Sequence, residues 1–106
     1  MGVRFKLSDT FTVKDVAIPI ADADEMTLDA IFKRKTYSEC QALKQRPDIE
    51  VANEVLVGWK AVDEETNQDV PFNADTKAAL LSVSSAAYHV SLAFFRSSQG
   101  TAAKNL

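Results

Sequence analysis

Two side chains in this chain of 106 residues have the chemistry of a nucleophile pair: Cys40 and His89, each the only one of its kind. A thiol activated by an imidazole also needs groups that stabilise the oxyanion it creates. Cys40 sits between Glu39 and Gln41 with no Gly-rich loop near it, and the three glycines stand far apart at 2, 58 and 100. The favoured reading is a structural cysteine and a core or helix-surface histidine. The same glycine spacing excludes a phosphate-cradling loop. Asp22-x-Asp24-Glu25 has the opening of a calcium loop but lacks its glycine and its distal glutamate. Fifteen acidic residues offer many carboxylate pairs, and spacing singles out none. No catalytic, cofactor-binding or metal-binding residue is therefore assigned. The expectation is a protein that is not an enzyme and carries no cofactor.

The length fits one domain, 1–106, with a core able to sustain itself. Apolar residues make up 46% and charged residues 25%, which is a globular composition. A formal charge of -3 argues against nucleic acid as the main partner, since phosphate binding rests on a basic field. The charges are unevenly placed. Asp22, Asp24, Glu25 and Asp29 form one acidic group, and Asp63, Glu64, Glu65, Asp69 and Asp75 form another. Lys33, Arg34, Lys35, Lys44 and Arg46 lie between them. Such groups are solvated faces, or complementary patches for self-association or a charged partner. The lone Cys40 excludes an intrachain disulfide and suits a reducing cytosol. The opening MGVRFKLSD lacks the apolar core of a secretory signal. Ala78 to Phe95 carries no charge, with His89 neutral, and is about as long as a membrane span. Ser82, Ser84, Ser85, Ser91 and His89 dilute it, so a buried or partner-covered helix is expected and no membrane partner.

Residues 1–35 read as a small antiparallel sheet of two or three strands. Val3, Phe5 and Leu7 alternate with Arg4 and Lys6, which is the period of a half-buried strand. Phe11 and Val13 continue on odd numbers, whereas Val16, Ile18 and Ile20 are even. One extra residue near Lys14-Asp15, as in a β-bulge, brings both sets to one face. Pro19 marks an edge or a strand end. After a polar turn from Asp22 to Glu25, Met26, Leu28, Ala30 and Phe32 alternate again. Such a sheet is not stable alone and needs a helical cover.

Residues 36–99 read as that cover, three or four helices, and 100–106 as a flexible tail. The expected class is α+β. Thr36-x-x-Glu39 fits a capping box. Pro47 suits the first turn of a second helix, in which Ile49, Ala52, Val55 or Leu56, Trp59 and Val62 recur at helical spacing. Gly58 within it is a tolerated defect or permits close approach of another element. Asp63 to Gln68 reads as an exposed turn, after which Val70-Pro71-Phe72 re-enters the core. Asn73 can cap a helix from Ala74 to about Leu81. Ser82, Ser84 or Ser85 can cap a fourth, running to about Ser98. Two stripes lie on this last helix: Val83, Ala87, Val90 and Phe94, and then Tyr88, Leu92 and Phe95. One stripe suffices for a small monomer; the second needs a partner or a larger internal core.

The junction Leu56-Val57-Gly58-Trp59-Lys60-Ala61-Val62, an acidic turn, and Val70-Pro71-Phe72-Asn73 resembles the tail assembly chaperones of long-tailed bacteriophages and prophages. The likeness extends through Ala79-Leu80-Leu81 and Ala93-Phe94-Phe95 to a closing Ala103-Lys104-Asn105. Two departures, Asn67 for a turn glycine and Asn73 for the Ser or Thr after Pro-Phe, keep the physics, because Asn tolerates left-handed turns and caps helices. Trp59 and Phe72 are then expected to pack from opposite sides of the turn as a clasp, with Gly58 beside it and Pro71 stiffening the return.

The resemblance implies an assembly factor that binds the tape measure protein, keeps it soluble in the host cytoplasm, helps recruit tail tube subunits, and leaves before the virion is complete. Tyr88, Leu92 and Phe95 would be its partner-binding residues, and a homo-oligomer is compatible with the role. It also implies a longer product made by a -1 frameshift, whose added part binds the tail tube protein. Ala103-Lys104-Asn105 can be encoded GCA-AAA-AAC, which contains a slippery run. A structural tail or head–tail connector protein, or a small cytosolic interaction module, are the alternatives.

Overall fold

The computed structural model describes residues 8–20, 25–63, 65–83 and 85–98. The Val3, Phe5 and Leu7 segment, Asp22, Asp24, Glu64, Ser84 and the tail from Gly100 lie outside them. β1 (Thr10–Ile18) places Phe11 and Val13 half-buried and Val16 and Ile18 buried, so residues of both parities share the inner face. The parity change is a bulge. Val13 pairs with Ala30 and Val16 with Leu28, which leaves one residue of β1 over. Asp15 takes φ 57, in the left-handed region, and its N–H donates to Asp29 Oδ1 at 3.0 Å. β1 ends just before Pro19 and is an edge strand.

β2 (Met26–Lys33) is the centre of an antiparallel sheet of order β1-β2-β3. Its alternation is regular, with Leu28, Ala30 and Phe32 buried on the inner face. α1 (Tyr37–Leu43) begins with the capping box: Glu39 N–H donates to Thr36 Oγ1 at 3.2 Å and Thr36 N–H to Glu39 Oε1 at 2.8 Å. That hydrogen bond from the Thr36 backbone holds the Glu39 carboxylate below its ordinary pKa. Pro47 stands at the N-cap of α2 (Asp48–Val55), one residue before the helix.

Here the helical expectation is corrected. α2 stops at Val55, and Leu56–Lys60 is β3, the third strand of the sheet. Leu56 is already extended, at φ -83 and ψ 107. Two small strands follow, β4 (Val62–Asp63) and β5 (Gln68–Asp69), paired as a hairpin. The stretch 36–99 is therefore not wholly helical. Its helices are α1, α2, α3 (Ala74–Leu81) and α4 (Ala86–Ser98), and together with the sheets they make an α+β fold.

α2 and α4 cover the inner face of the sheet, and α4 runs against β1. The rings of Phe11, Phe32 and Phe94 join β1, β2 and α4 in the core, with centroids 5.6–6.1 Å apart. Such tilted and edge-on contacts add to the burial energy of aromatic residues. On the exposed side Glu54 accepts from Lys35 and from Arg46, each at 2.7 Å, which ties α2 to the residues before α1 and α2. Those two hydrogen bonds, Lys35 first, hold the Glu54 carboxylate below its ordinary pKa. Among the described residues no single helix is long and apolar enough to cross a membrane, and the uncharged stretch is divided between α3 and α4.

Candidate functional site

The junction begins with β3. Its inner residues, Leu56 and Trp59, pair with Phe32 and Ala30 and are three apart because Val57 is an extra residue. Trp59 is 9% exposed, and Gly58 faces Ile31. A Cβ on Gly58 would lie 3.2 Å from Ile31 Cδ1, so the glycine does permit close approach, between strands. The acidic turn closes through Asp63 Oδ1, which accepts from Glu65 N–H at 2.8 Å, and through Asn67 at φ 58. Val70 N–H donates to Ala61 O at 2.8 Å and brings the chain back beside β3.

Trp59 and Phe72 then meet edge to face, 4.8 Å between centroids at 84°. Trp59 Nε1 donates to Val70 O at 3.0 Å, which satisfies its one polar atom. Pro71 is exposed, and its carbonyl accepts from Thr76 Oγ1 at 2.7 Å. Asn73 and Thr76 cap α3 reciprocally, with Thr76 N–H donating to Asn73 Oδ1 at 2.9 Å. Lys77 Nζ lies 5.9 Å from the Phe72 ring centroid and donates to Asn53 O at 2.7 Å, near the C-terminal end of α2. A cation is favourable there, although burial pushes the Lys77 ammonium below its ordinary pKa. The clasp thus positions α3 through hydrogen bonds to backbone.

The two stripes of α4 separate. Val90 and Phe94 are fully buried, and Ala86 and Ser91 join them, Ser91 Oγ donating to Asp48 O at 3.3 Å. Tyr88 is 51% exposed, Leu92 is half-buried, and Phe95 is half-buried against the core. Of the proposed caps, Ser82 closes α3 and Ser85, at φ 76, immediately precedes α4.

Cys40 and His89 are not brought together. Cys40 is buried, its thiol is beside Ser98, and desolvation raises its pKa. His89 lies about 13 Å back along the same helix from Ser98, at about 1.5 Å per residue. Its ring stacks edge-on with Tyr88 at 5.0 Å. No group of three or more His, Cys, Asp or Glu side chains suited to a metal occurs among the described residues. Ala103, Lys104 and Asn105 lie outside them.

The chain matches no family model, no curated protein and no solved structure. Two depressions flank the β3–β4 segment. One, of about 470 Å³, lies between the sheet and α3 and is lined by Met26, Leu28, Trp59, Val62, Leu80 and Val83 among others. The other, of about 640 Å³, carries Asp15, Asp29 and Asp69 with Lys60. The first escapes a sequence reading that makes Trp59 and Val62 part of a helix. The cue that finds it is the β-branched and aromatic composition of Val55 to Val62, with three valines and a tryptophan, which argues strand.

Proposed function

We propose that this protein is a tail assembly chaperone of a phage or prophage, a non-enzymatic factor that holds the tape measure protein in soluble form. The observation that carries the reading is the state of the last helix. Its Val90 and Phe94 side completes the core, while on the other stripe Tyr88 is exposed and Leu92 only half-buried. An amphipathic partner can lay an apolar face against such a stripe, which is helix-on-helix recognition. The folded junction supports the reading because the residues that carry the family resemblance, Gly58, Trp59, Pro71 and Phe72, form one structural unit. In the same reading a frameshifted longer product, extended beyond Asn105, recruits tail tube subunits, and both products act in the host cytoplasm.

The test is co-expression with the long, helical reading frame encoded beside the gene. The wild-type chain should keep that protein soluble and co-purify with it. Tyr88→Glu with Leu92→Glu should abolish co-purification and leave the circular dichroism of the free chain unchanged. A neighbouring protein that is equally insoluble with and without the chain would overturn the reading.

A further inference from the structure

We infer that the groove between the sheet and α3 is a second docking site, which receives a cationic amphipathic helix from a partner. The inference is independent of the chaperone reading, because none of the groove's lining residues belongs to α4. Its floor and walls are apolar: Met26 and Leu28 from β2, Trp59 from β3, Val62 from β4, and Leu80 with Val83 at the end of α3. Val62 is 52% exposed here, a β-branched residue left at the surface.

Two features select the occupant. The polar side chains among the lining residues are Thr27 and Thr76, besides the carboxylates of Glu25 and Asp63. An extended or irregular segment would bring its backbone N–H and C=O groups into this apolar space without partners. A helix satisfies its own backbone and offers only side chains, so it fits. Charge decides the rest. Glu25 and Asp63 are the only charged side chains among the groove's lining residues, and the adjoining depression adds Asp15, Asp29 and Asp69 against a single Lys60. The basic residues Lys33, Arg34 and Lys35 stand at the other end of β2, with Lys33 about 23 Å from Met26 at about 3.3 Å per residue. A helix with apolar side chains on one face and Lys or Arg beside them is therefore attracted, and an acidic one is repelled.

Trp59 is the only tryptophan and lines the groove, so its emission reports occupancy directly. The probe is a 14-residue Leu/Lys peptide of sequence LKKLLKLLKKLLKL, set against the same peptide with Glu for Lys. The Leu/Lys peptide should change Trp59 emission saturably, and the Leu/Glu peptide should not. Ala79→Phe, which adds a ring to an exposed lining position, should weaken binding by more than about tenfold. Glu25→Lys, on an exposed side chain, should weaken it by up to about fivefold. The α4 variant Tyr88→Glu with Leu92→Glu should bind as wild type does. Equal responses to both peptides, or unchanged affinity in Ala79→Phe, would overturn the proposal. So would loss of the response in the α4 variant, which would move the site to that helix. Concentration-dependent Trp59 emission without peptide would give the groove to a second copy of the chain and overturn it as well.

Discussion

β1 and β3 flank the same central strand, and each carries one residue more than its pairing requires, yet they accommodate it by different means. In β1 the backbone bends. Asp15 enters the left-handed region, and a carboxylate of β2, Asp29, takes its N–H. In β3 no residue has a positive φ; Val57 is 42% exposed, and the neighbouring Gly58 lets Ile31 close over the strand. The β1 bulge is thus stabilised by a hydrogen bond at an exposed edge, the β3 bulge by the absence of a side chain. Their consequences differ too. The first keeps two pairs of apolar residues on one face of a nine-residue strand. The second aims Trp59 at Phe72 and so begins the clasp that positions α3.

The largest expected effect tests the clasp. Trp59→Ala should lower unfolding free energy by about 3–5 kcal/mol in urea titrations, the cost of truncating a buried aromatic. Phe72→Ala should cost less, because that ring is half-buried. A loss below about 1 kcal/mol for Trp59→Ala would make the β3 end dispensable to the core.

A sign test comes next. If Gly58 were helical, Gly58→Ala would stabilise by about 1 kcal/mol. In β3 the new methyl meets Ile31 Cδ1 at 3.2 Å, so the variant should instead lose about 1 kcal/mol from overpacking. Adding Ile31→Val removes that atom and should recover part of the loss relative to Ile31→Val alone. A stabilising Gly58→Ala would mean that Ile31 yields to the methyl, since alanine is favoured over glycine in a strand interior as well.

The smallest effect compares the two bulges themselves. Asp15→Gly should raise stability by about 0.5 kcal/mol, because glycine adopts the left-handed conformation without a Cβ penalty. Val57→Gly should lower it by a similar amount, since β3 needs no such conformation and loses a β-branched residue. Thermal midpoints that move in the same direction for both would mean the two bulges are built alike.

The bulges also explain what was legible. An extra residue turns the two-residue period of a strand into a spacing of three. In β1 two alternating pairs, 11 and 13, then 16 and 18, stand on either side of it, so the change of parity shows. β3 has five residues and follows α2 directly, with Val55 and Leu56 adjacent. Leu56 and Trp59, three apart, then continue the helical pattern of Ala52 and Val55, and the strand passes for helix. The groove was hidden with it, since part of its wall depends on where Trp59 and Val62 point. The clasp was legible despite this error, because an aromatic on each side of a turn-forming run meets whether the first stands on a helix or a strand.

What the amino-acid order determined by itself was local. Thr36 with Glu39, Asn73 with the start of α3, Asn67 in the left-handed turn and the bulge at Asp15 each depend on groups within a few residues, or on one strand's own alternation. The three-stranded sheet was decided only by tertiary structure. Leu56–Lys60 is a strand because Ala30 and Phe32, some 25 residues earlier, offer it a β ladder and an apolar face. So was the division of α4, whose two stripes are alike in sequence until β1 and α2 cover one of them. Local hydrogen bonds can be read from spacing. Which apolar face is buried depends on partners that spacing does not name.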